Sequence, residues 1–331
     1  MSESAPLGRA QLDALLAQMA RVRTLVLGDV MLDTFIWGRA DRVSPEAPVL
    51  VVRAERDSQM PGGAGNVVRC LRALGAQVGV AGVVGDDADG ATLARLLAED
   101  GADPLHLLPA ADRPTTVKTR ILAGGQQVVR VDRELAQPLP ADLSAQLDAL
   151  LRPALTGCQG LLLSDYDKGV LQPALIDRVL ALAAELGVRV AVNAKPHLAG
   201  HYGRVDLLTV NRVEAEAILD RRLPTLDDVA AGARDLAARL EPRHTLITLG
   251  PEGAMLLAHD GEPQLVPALP VQVYDVAGAG DTTVAAAHLA LCAGAEPRAA
   301  IEVAMRAAAV VVRKRSVATA SPDEILALAE E

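Results

Sequence analysis

Between residues 160 and 249 the chain switches repeatedly between strand-like and helix-like patterning, and few folds allow that. Apolar runs of strand length at 160–164, 188–192, 206–210 and 245–249 are interleaved with helix-length stretches at 173–186, 213–219 and 226–240. A short, continuously apolar run reads as a strand covered on both faces, and such strands joined by helices pair in parallel. The pattern therefore predicts an α/β fold, a doubly wound, mostly parallel sheet with helices on both faces. Upstream, TLVL at 24–27 ends at Gly28-Asp29, and 78–84 reads as another strand, with one helix opened by 61–66 and running through Leu74 and another at 88–98. Downstream come a short strand pair at 254–258 and 264–267, an Ala-rich helix from Thr282 and a final helix at 298–312. Open α/β sheets bind ligands beyond the carboxyl ends of their strands, which puts Asp29 and Asp33 at the binding edge.

The segments 35–38, 48–53, 116–122 and 127–131 read instead as short strands, the last two a hairpin around Gly124-Gly125. Together they predict a small β lid, formed by 34–60 and 115–132, on a single domain spanning 1–331. The lid holds the only Phe and the only Trp of the chain. Phe35, Ile36, Trp37 and the run 49–52 are too apolar for a flap wet on one face, so a homodimer joined through the lid is expected. The alternative is that these side chains roof the chain's own pocket.

At 331 residues, half of them hydrophobic, and with no internal repeat, the chain can bury one large core. A net charge of −10 argues against a broad footprint for nucleic acid or for an anionic membrane surface. A small anionic substrate must then be met by local cations. Only four lysines stand against 28 arginines, which marks Lys118, Lys168 and Lys195 as places where a compact ammonium is wanted. Three well-separated cysteines in apolar runs fit reduced thiols in the cytoplasm. The start of the chain reads as a surface helix without a signal-peptide core, and no apolar run reaches membrane-spanning length. His197 and His201 stand four apart but lack acidic or Cys partners, so they read as surface histidines.

The chemistry points to Asp275-Val-Ala-Gly-Ala-Gly-Asp281, which releases directly into a helix. The N–H groups of Gly278, Ala279 and Gly280 are expected to converge at a helix N-terminus, a place that attracts anions. Asp281, just inside the first turn, is the candidate base. An anion cradle beside a base fits phosphoryl transfer to a hydroxyl; an ordinary Ala/Gly-rich helix start is the plainer reading. A second Gly-rich turn, Gly62-Gly-Ala-Gly-Asn66, opens another helix and suits close approach by substrate hydroxyls. Asn211-Arg-Val-Glu214 follows a strand end: it is either a plain capping box or a place where Glu214 organises a hydrated Mg²⁺. Lys195 can reach a phosphate as a point charge.

The Asp275–Asp281 stretch resembles the signature of the ribokinase (PfkB) family of sugar kinases. The resemblance implies ATP and Mg²⁺ as cofactors, and a lid that in several members pairs with the lid of a second subunit. It implies that Gly62, Gly63 and Asn66 hold the sugar, and that Asn211 and Glu214 serve magnesium and phosphate. Thr248-Leu-Gly-Pro-Glu-Gly253 is similar to the family's nucleotide-side loop, so Thr248, Gly250 and Gly253 join the nucleotide set. Asp275 falls at the family's monovalent-cation site. Within the family the chain is most similar to kinases of a heptose 7-phosphate, on motifs that include Arg42-Val-Ser-Pro-Glu-Ala-Pro48, Thr116-Val-Lys-Thr-Arg120, Gln126-Gln-Val-Val-Arg130 and Ser164-Asp-Tyr-Asp-Lys-Gly169.

That likeness implies phosphorylation of the anomeric hydroxyl, with Asp33 and Asp165 among the sugar contacts. An acidic chain needs local cations for a 7-phosphate, and Lys118, Arg120, Arg130 and Lys168 are expected to supply them. Bifunctional relatives carry a His-x-Gly-His nucleotidyltransferase motif; none occurs here, so kinase chemistry alone is expected. Another sugar kinase and a non-catalytic sugar or nucleotide binder are the alternatives. The chain departs from the family at Asn193-Ala-Lys-Pro, at Ala277 in the signature, at Met305 and across 313–317.

Overall fold

A computed structural model describes residues 7–328. Among these the strands are β1 (Arg23–Gly28), β2 (Val30–Val43), β3 (Leu50–Gly63), β4 (Gln77–Gly85), β5 (Leu105–Ala110), β6 (Val117–Ala123), β7 (Gln126–Arg133), β8 (Gly160–Ser164), β9 (Arg189–Asn193), β10 (Leu207–Asn211), β11 (His244–Thr248), β12 (Ala254–Leu257) and β13 (Gln264–Val266). The helices are α1 (Arg9–Met19), α2 (Ala64–Ala73), α3 (Ala88–Glu99), α4 (Ala141–Leu155), α5 (Pro173–Leu186), α6 (Arg212–Leu219), α7 (Leu226–Leu240), α8 (Ala279–Cys292), α9 (Pro297–Val312) and α10 (Pro322–Ala327).

Nine strands form one sheet in the order β13-β12-β11-β10-β9-β8-β1-β4-β5, parallel from β11 to β5 and antiparallel at β12 and β13. Alternate residues of one strand enter different cores. Val26, Leu162, Ala191 and Leu207 pack with α1, α2, α8 and α9, while Leu25, Leu27, Leu161 and Leu163 pack with α4, α5 and α7. Both faces are covered, which is why these strands carry unbroken apolar runs. From β1 the chain first builds outward through β4 and β5, then returns to β1's other side with β8. The order reverses between β1 and β8, and the crevice at such a switch point is where these sheets bind ligands. Asp29 and Asp165, each one residue past its strand, sit at that opening.

The second sheet has four strands in the order β3-β2-β6-β7, with β2 and β6 parallel and the other pairs antiparallel. Its two longest strands run to 14 residues each, far beyond the short stretches expected at 35–38 and 48–53. Their outer halves carry Arg39, Asp41, Arg53, Glu55 and Asp57 on solvent-facing positions, so charge masked the strand period there. Three elements had no expectation: edge strand β5, helix α4 with Pro153 in its last turn, and the short α10. Helix α1 is more than a surface helix, since Leu12, Leu16 and Met19 are buried; residues 1–6 of the expected segment lie outside the described residues. No helix among the described residues is long and apolar enough to cross a membrane.

Candidate functional site

Gly278 caps α8 in the left-handed region (φ 81°), a conformation glycine adopts without a Cβ penalty. Its carbonyl accepts from Thr282 N, and the helix starts two residues before Asp281. Of the three N–H groups expected to face an anion, that of Ala279 is spent on the Val276 carbonyl (3.2 Å). This corrects the expected cradle: the turn that positions it uses one of its donors. The N–H groups of Gly278 and Gly280 donate to no protein acceptor among the described residues, as the first helical turn leaves them. Asp275 Oδ1 accepts from Ala277 N (2.9 Å), so this carboxylate first of all shapes the turn.

Asp281 lies on the crevice floor with a donor on each oxygen. Asn66 Nδ2 donates to Oδ2 (2.7 Å) and the Tyr166 hydroxyl to Oδ1 (2.5 Å). Arg69 Nη1 in turn donates to Asn66 Oδ1 (3.3 Å), which fixes the way the amide faces. Withdrawal from water pushes the Asp281 carboxyl above its ordinary range; the bonds from Tyr166 and Asn66 pull it back down, and Asp33 adds to the rise. Burial and the neighbouring Asp281 drive the Tyr166 phenol well above its usual value, so it stays protonated and donates.

On the side of the small sheet, Asp33 is buried and Oδ1 accepts from Arg120 Nη1 (2.6 Å). A Cβ at Gly62 would collide with that carboxylate, and Gly63 (φ 55°) would bring one within 2.5 Å of the Asp29 carbonyl. The four expected cations do gather, but each has a carboxylate partner. Lys118 and Lys168 share Glu134 (3.0 and 2.8 Å), Lys118 also meets Asp132 (3.1 Å), and Arg130 holds Asp132 (2.9 Å). Asp165 differs from expectation. Its buried carboxylate accepts from Tyr202 Oη (2.9 Å), Asp167 N (2.9 Å) and Lys195 N (3.4 Å), so it is committed inward and shapes the loop rather than meeting a sugar. Asp29 does the same from β1, accepting from the N–H groups of Tyr166, Lys168 and Val170. Burial raises its carboxyl too, and those three bonds oppose the rise.

The other side of the floor opens into an apolar cleft of about 500 Å³. Thr248, Gly250 and Gly253 line it opposite Ala279, Gly280 and Met305, so the two Gly-rich loops share one cavity. Gly253 (φ 104°) leaves no room for a Cβ against the β13 backbone. Glu214 is buried, and its carboxylate is divided: Oε2 accepts from Asn211 N (2.8 Å) and Oε1 pairs with Lys195. Asn211 Oδ1 accepts from Glu214 N (2.9 Å), so the capping box is formed. Lys195 Nζ also lies 5.7 Å from the centre of the Tyr166 ring.

A hydrated hard cation fits this edge. Ser164 Oγ and Thr209 Oγ1 are buried without partners, Asn193 stands between them in register, and Glu214 borders the same strand ends. These are oxygen donors of the kind Mg²⁺ accepts beside water and phosphate. Among the described residues no group of three acidic, His or Cys side chains is placed to hold a metal ion. His197, expected to lack an acidic partner, meets Asp167 (3.3 Å).

Tyr166, Asp132, Glu134 and Arg69 belong to the site without having been expected there. Tyr166 sits inside the quoted Ser164–Gly169 motif and is one of three tyrosines, which was the available signal. Nothing local marks Glu134, which lies two residues beyond the expected lid boundary.

Solved structures share the fold. Phosphofructokinase-2 from Escherichia coli superposes with a TM-score of 0.77 at 24% identity, over 94% of this chain and 99% of that one. A ribokinase of Arabidopsis thaliana, solved with ribose and ATP, gives 0.72 at 20% identity, over 94% and 99%. Among curated proteins, the bifunctional protein HldE of Geotalea uraniireducens (strain Rf4) is 38% identical over 319 residues, covering 96% of this chain. That of Citrifermentans bemidjiense is 39% identical over 319 residues, also 96% of this chain. The chain spans only 65% and 66% of those two relatives' lengths. The model of the pfkB family carbohydrate kinases matches residues 23–324, and this chain belongs to that family.

Proposed function

We propose that this chain is an ATP-dependent kinase that phosphorylates the anomeric hydroxyl of D-glycero-β-D-manno-heptose 7-phosphate to the 1,7-bisphosphate. The observation that carries the reading is the Asp281 carboxylate, in the first turn of α8 and held on the crevice floor by Asn66 and Tyr166. The likeness to the HldE proteins adds the sugar class. Asp281 takes the proton of the anomeric hydroxyl as its oxygen bonds to the γ-phosphorus, and the bond to the ADP oxygen breaks. The free N–H groups of Gly278 and Gly280 receive the transferring phosphoryl group; Ala279 keeps the turn and leaves space for it.

Asp33, Gly62, Gly63 and Asn66 hold the sugar hydroxyls. Lys118, Arg120, Arg130 and Lys168 hold the 7-phosphate by exchanging carboxylate partners for phosphate oxygens. Asp165 orders the loop that carries Tyr166 and Lys168. Thr248, Gly250 and Gly253 with Met305 wall the nucleotide, and Lys195, paired with Glu214 in the free chain, reaches its phosphates. Bound beside Glu214 through water, Mg²⁺ would neutralise charge on the phosphates. Asp275 would hold a monovalent cation at the turn. The three free cysteines fit the cytoplasm, and the small sheet joins two subunits.

The test is a steady-state assay against a panel of sugars with MgATP. The heptose 7-phosphate is expected to give the highest kcat/KM, well above heptose lacking the phosphate. A preference for unphosphorylated sugars overturns the substrate, and no ADP formed with any acceptor overturns the kinase.

A further inference from the structure

In-line transfer places the acceptor oxygen between the base and the phosphoryl group. On the base itself, a protein hydroxyl already holds one oxygen. Tyr166 Oη lies 2.5 Å from Asp281 Oδ1, and Lys195 Nζ lies over the same ring, 5.7 Å from its centre, so the phenol meets the candidate base at its tip and a nucleotide-side cation over its face. The two donors on Asp281 are held differently. Asn66 is buried in α2 and its amide is fixed by Arg69. The Tyr166 hydroxyl sits at the end of a side chain on the 165–169 loop, and turning that side chain about its Cα–Cβ bond carries the oxygen away from Asp281. A sugar hydroxyl arriving at Asp281 therefore meets an exchangeable donor on Oδ1 and a fixed one on Oδ2.

We propose that Tyr166 is a positioning residue that stands in for the acceptor hydroxyl: its O–H holds Asp281 oriented and ionised, and is displaced when the sugar hydroxyl binds. The inference rests on the reading of Asp281 as the base. A phenol donating to a carboxylate favours its charged form, so removing the hydroxyl makes the free enzyme's base easier to protonate. Once the sugar is bound the phenol has left, and its removal changes nothing further for the base.

The two states are read by different constants: kcat/KM reports the free enzyme and kcat the complex. For Tyr166→Phe, with the heptose 7-phosphate and MgATP, the acid limb of kcat/KM is expected to move to higher pH. At acid pH kcat/KM should fall on the order of tenfold, the weight of one hydrogen bond to a charged group. The acid limb of kcat should stay where it is in the wild type. An unmoved kcat/KM limb overturns the contact, and movement of both limbs overturns the displacement.

Asp281→Asn separates this from the underlying reading. If that variant keeps turnover, Asp281 is not the base; if it is inactive, the two limbs judge Tyr166 alone. Should Tyr166→Phe fold poorly, ultraviolet difference absorbance of the wild type decides. The tyrosine band shifts when the sugar phosphate is added if the phenol changes acceptor, and an unchanged band overturns the proposal.

Discussion

Strand β8 exposes none of its residues, whereas every residue of β7 is exposed. The two strands border the same site from opposite sides, and the contrast extends to the side chains they bring. At the ends of β8 and its neighbour β1 the carboxylates of Asp165 and Asp29 are spent on backbone and phenol donors within the protein. Along β6 and β7 the charges pair with each other while keeping part of their surface in water, as Lys118 does with Asp132 and with Glu134 just past β7. Groups of the first kind cost much to disturb, because breaking them strands a buried charge. Pairs of the second kind exchange partners cheaply. On the proposed reading, the main sheet fixes the reacting group, and the small sheet offers cations already oriented but replaceably neutralised, as an anion-binding surface in an acidic protein requires.

The sharpest way to break this division is Asp281→Asn. Losing a general base is expected to lower kcat by at least ~10²-fold while nucleotide binding persists. Titration with a fluorescent ATP analogue alongside single-turnover kinetics checks it. Near-wild-type turnover would remove Asp281 from the chemistry and leave the crevice floor a purely structural feature.

Next in size is the double variant Lys118→Ala and Lys168→Ala, which leaves Glu134 without either ammonium. KM for the phosphorylated sugar is expected to rise roughly 10–100-fold, with kcat within a few-fold, since charge-assisted bonds made equally in ground and transition states act on binding alone. A fall in kcat as large as that of Asp281→Asn would erase the distinction between the two sheets.

A smaller, twofold change concerns mass. The apolar patch expected on the lid is redistributed: Phe35 is buried, stacked on Trp37 (centroids 6.0 Å apart) and covered by Arg120, while Val43, Val49, Leu50, Val128, Val129 and Val131 are exposed. Exposed apolar side chains on free strand edges call for a partner, and a second copy supplies one by symmetry. Light scattering is expected to give twice the chain's 34.5 kDa, reduced to a single chain by Leu50→Asp with Val131→Asp. A wild-type mass of one chain at micromolar concentration refutes the dimer.

These same residues mark how far the sequence could be read. The main sheet was legible because burial on both faces writes itself as apolar runs such as Leu161 to Leu163. The site's glycines were legible because turns demand them, as φ 81° does at Gly278. What stayed hidden was contact between distant segments: Asn66 and Asp281 are 215 residues apart, and Tyr166 and Asp281 115 apart. The motifs named Asn66 and Asp281 separately, but no local pattern reports that one donates to the other. Asp165 was misplaced for a related reason: a carboxylate after a strand end looks the same whether it faces a ligand or its own loop. The outer halves of β2 and β3 were lost because their charged positions hide the two-residue period.

The smallest expected effect lies beneath the floor. Thr24 of β1 and His288 of α8 share a buried hydrogen bond (Oγ1 to Nε2, 2.8 Å), tying the central strand to the helix that carries Asp281. Burial holds the His288 imidazole down at about 3, so it is neutral in the fold, while an unfolded histidine titrates near 6.5. Between those values the unfolded state binds the extra proton, so the stability gained from keeping His288 neutral is complete above about pH 6.5 and is lost as pH falls toward 3. His288→Leu removes that titration but leaves the Thr24 hydroxyl without its partner, at a cost of about 1–3 kcal/mol near neutrality. Asp29 and Asp281, whose raised carboxyls shift stability with pH in the opposite sense, are present in both proteins and cancel in the difference. So does His244, held down at about 4. Urea unfolding of the two proteins at pH 7.5 and at pH 4.5 is therefore expected to show the variant less stable at the first pH and the gap narrowed at the second. A gap that stays constant with pH would mean that His288 does not set the acid limit of the main sheet, and that the small sheet, with its exposed ion pairs, gives way first.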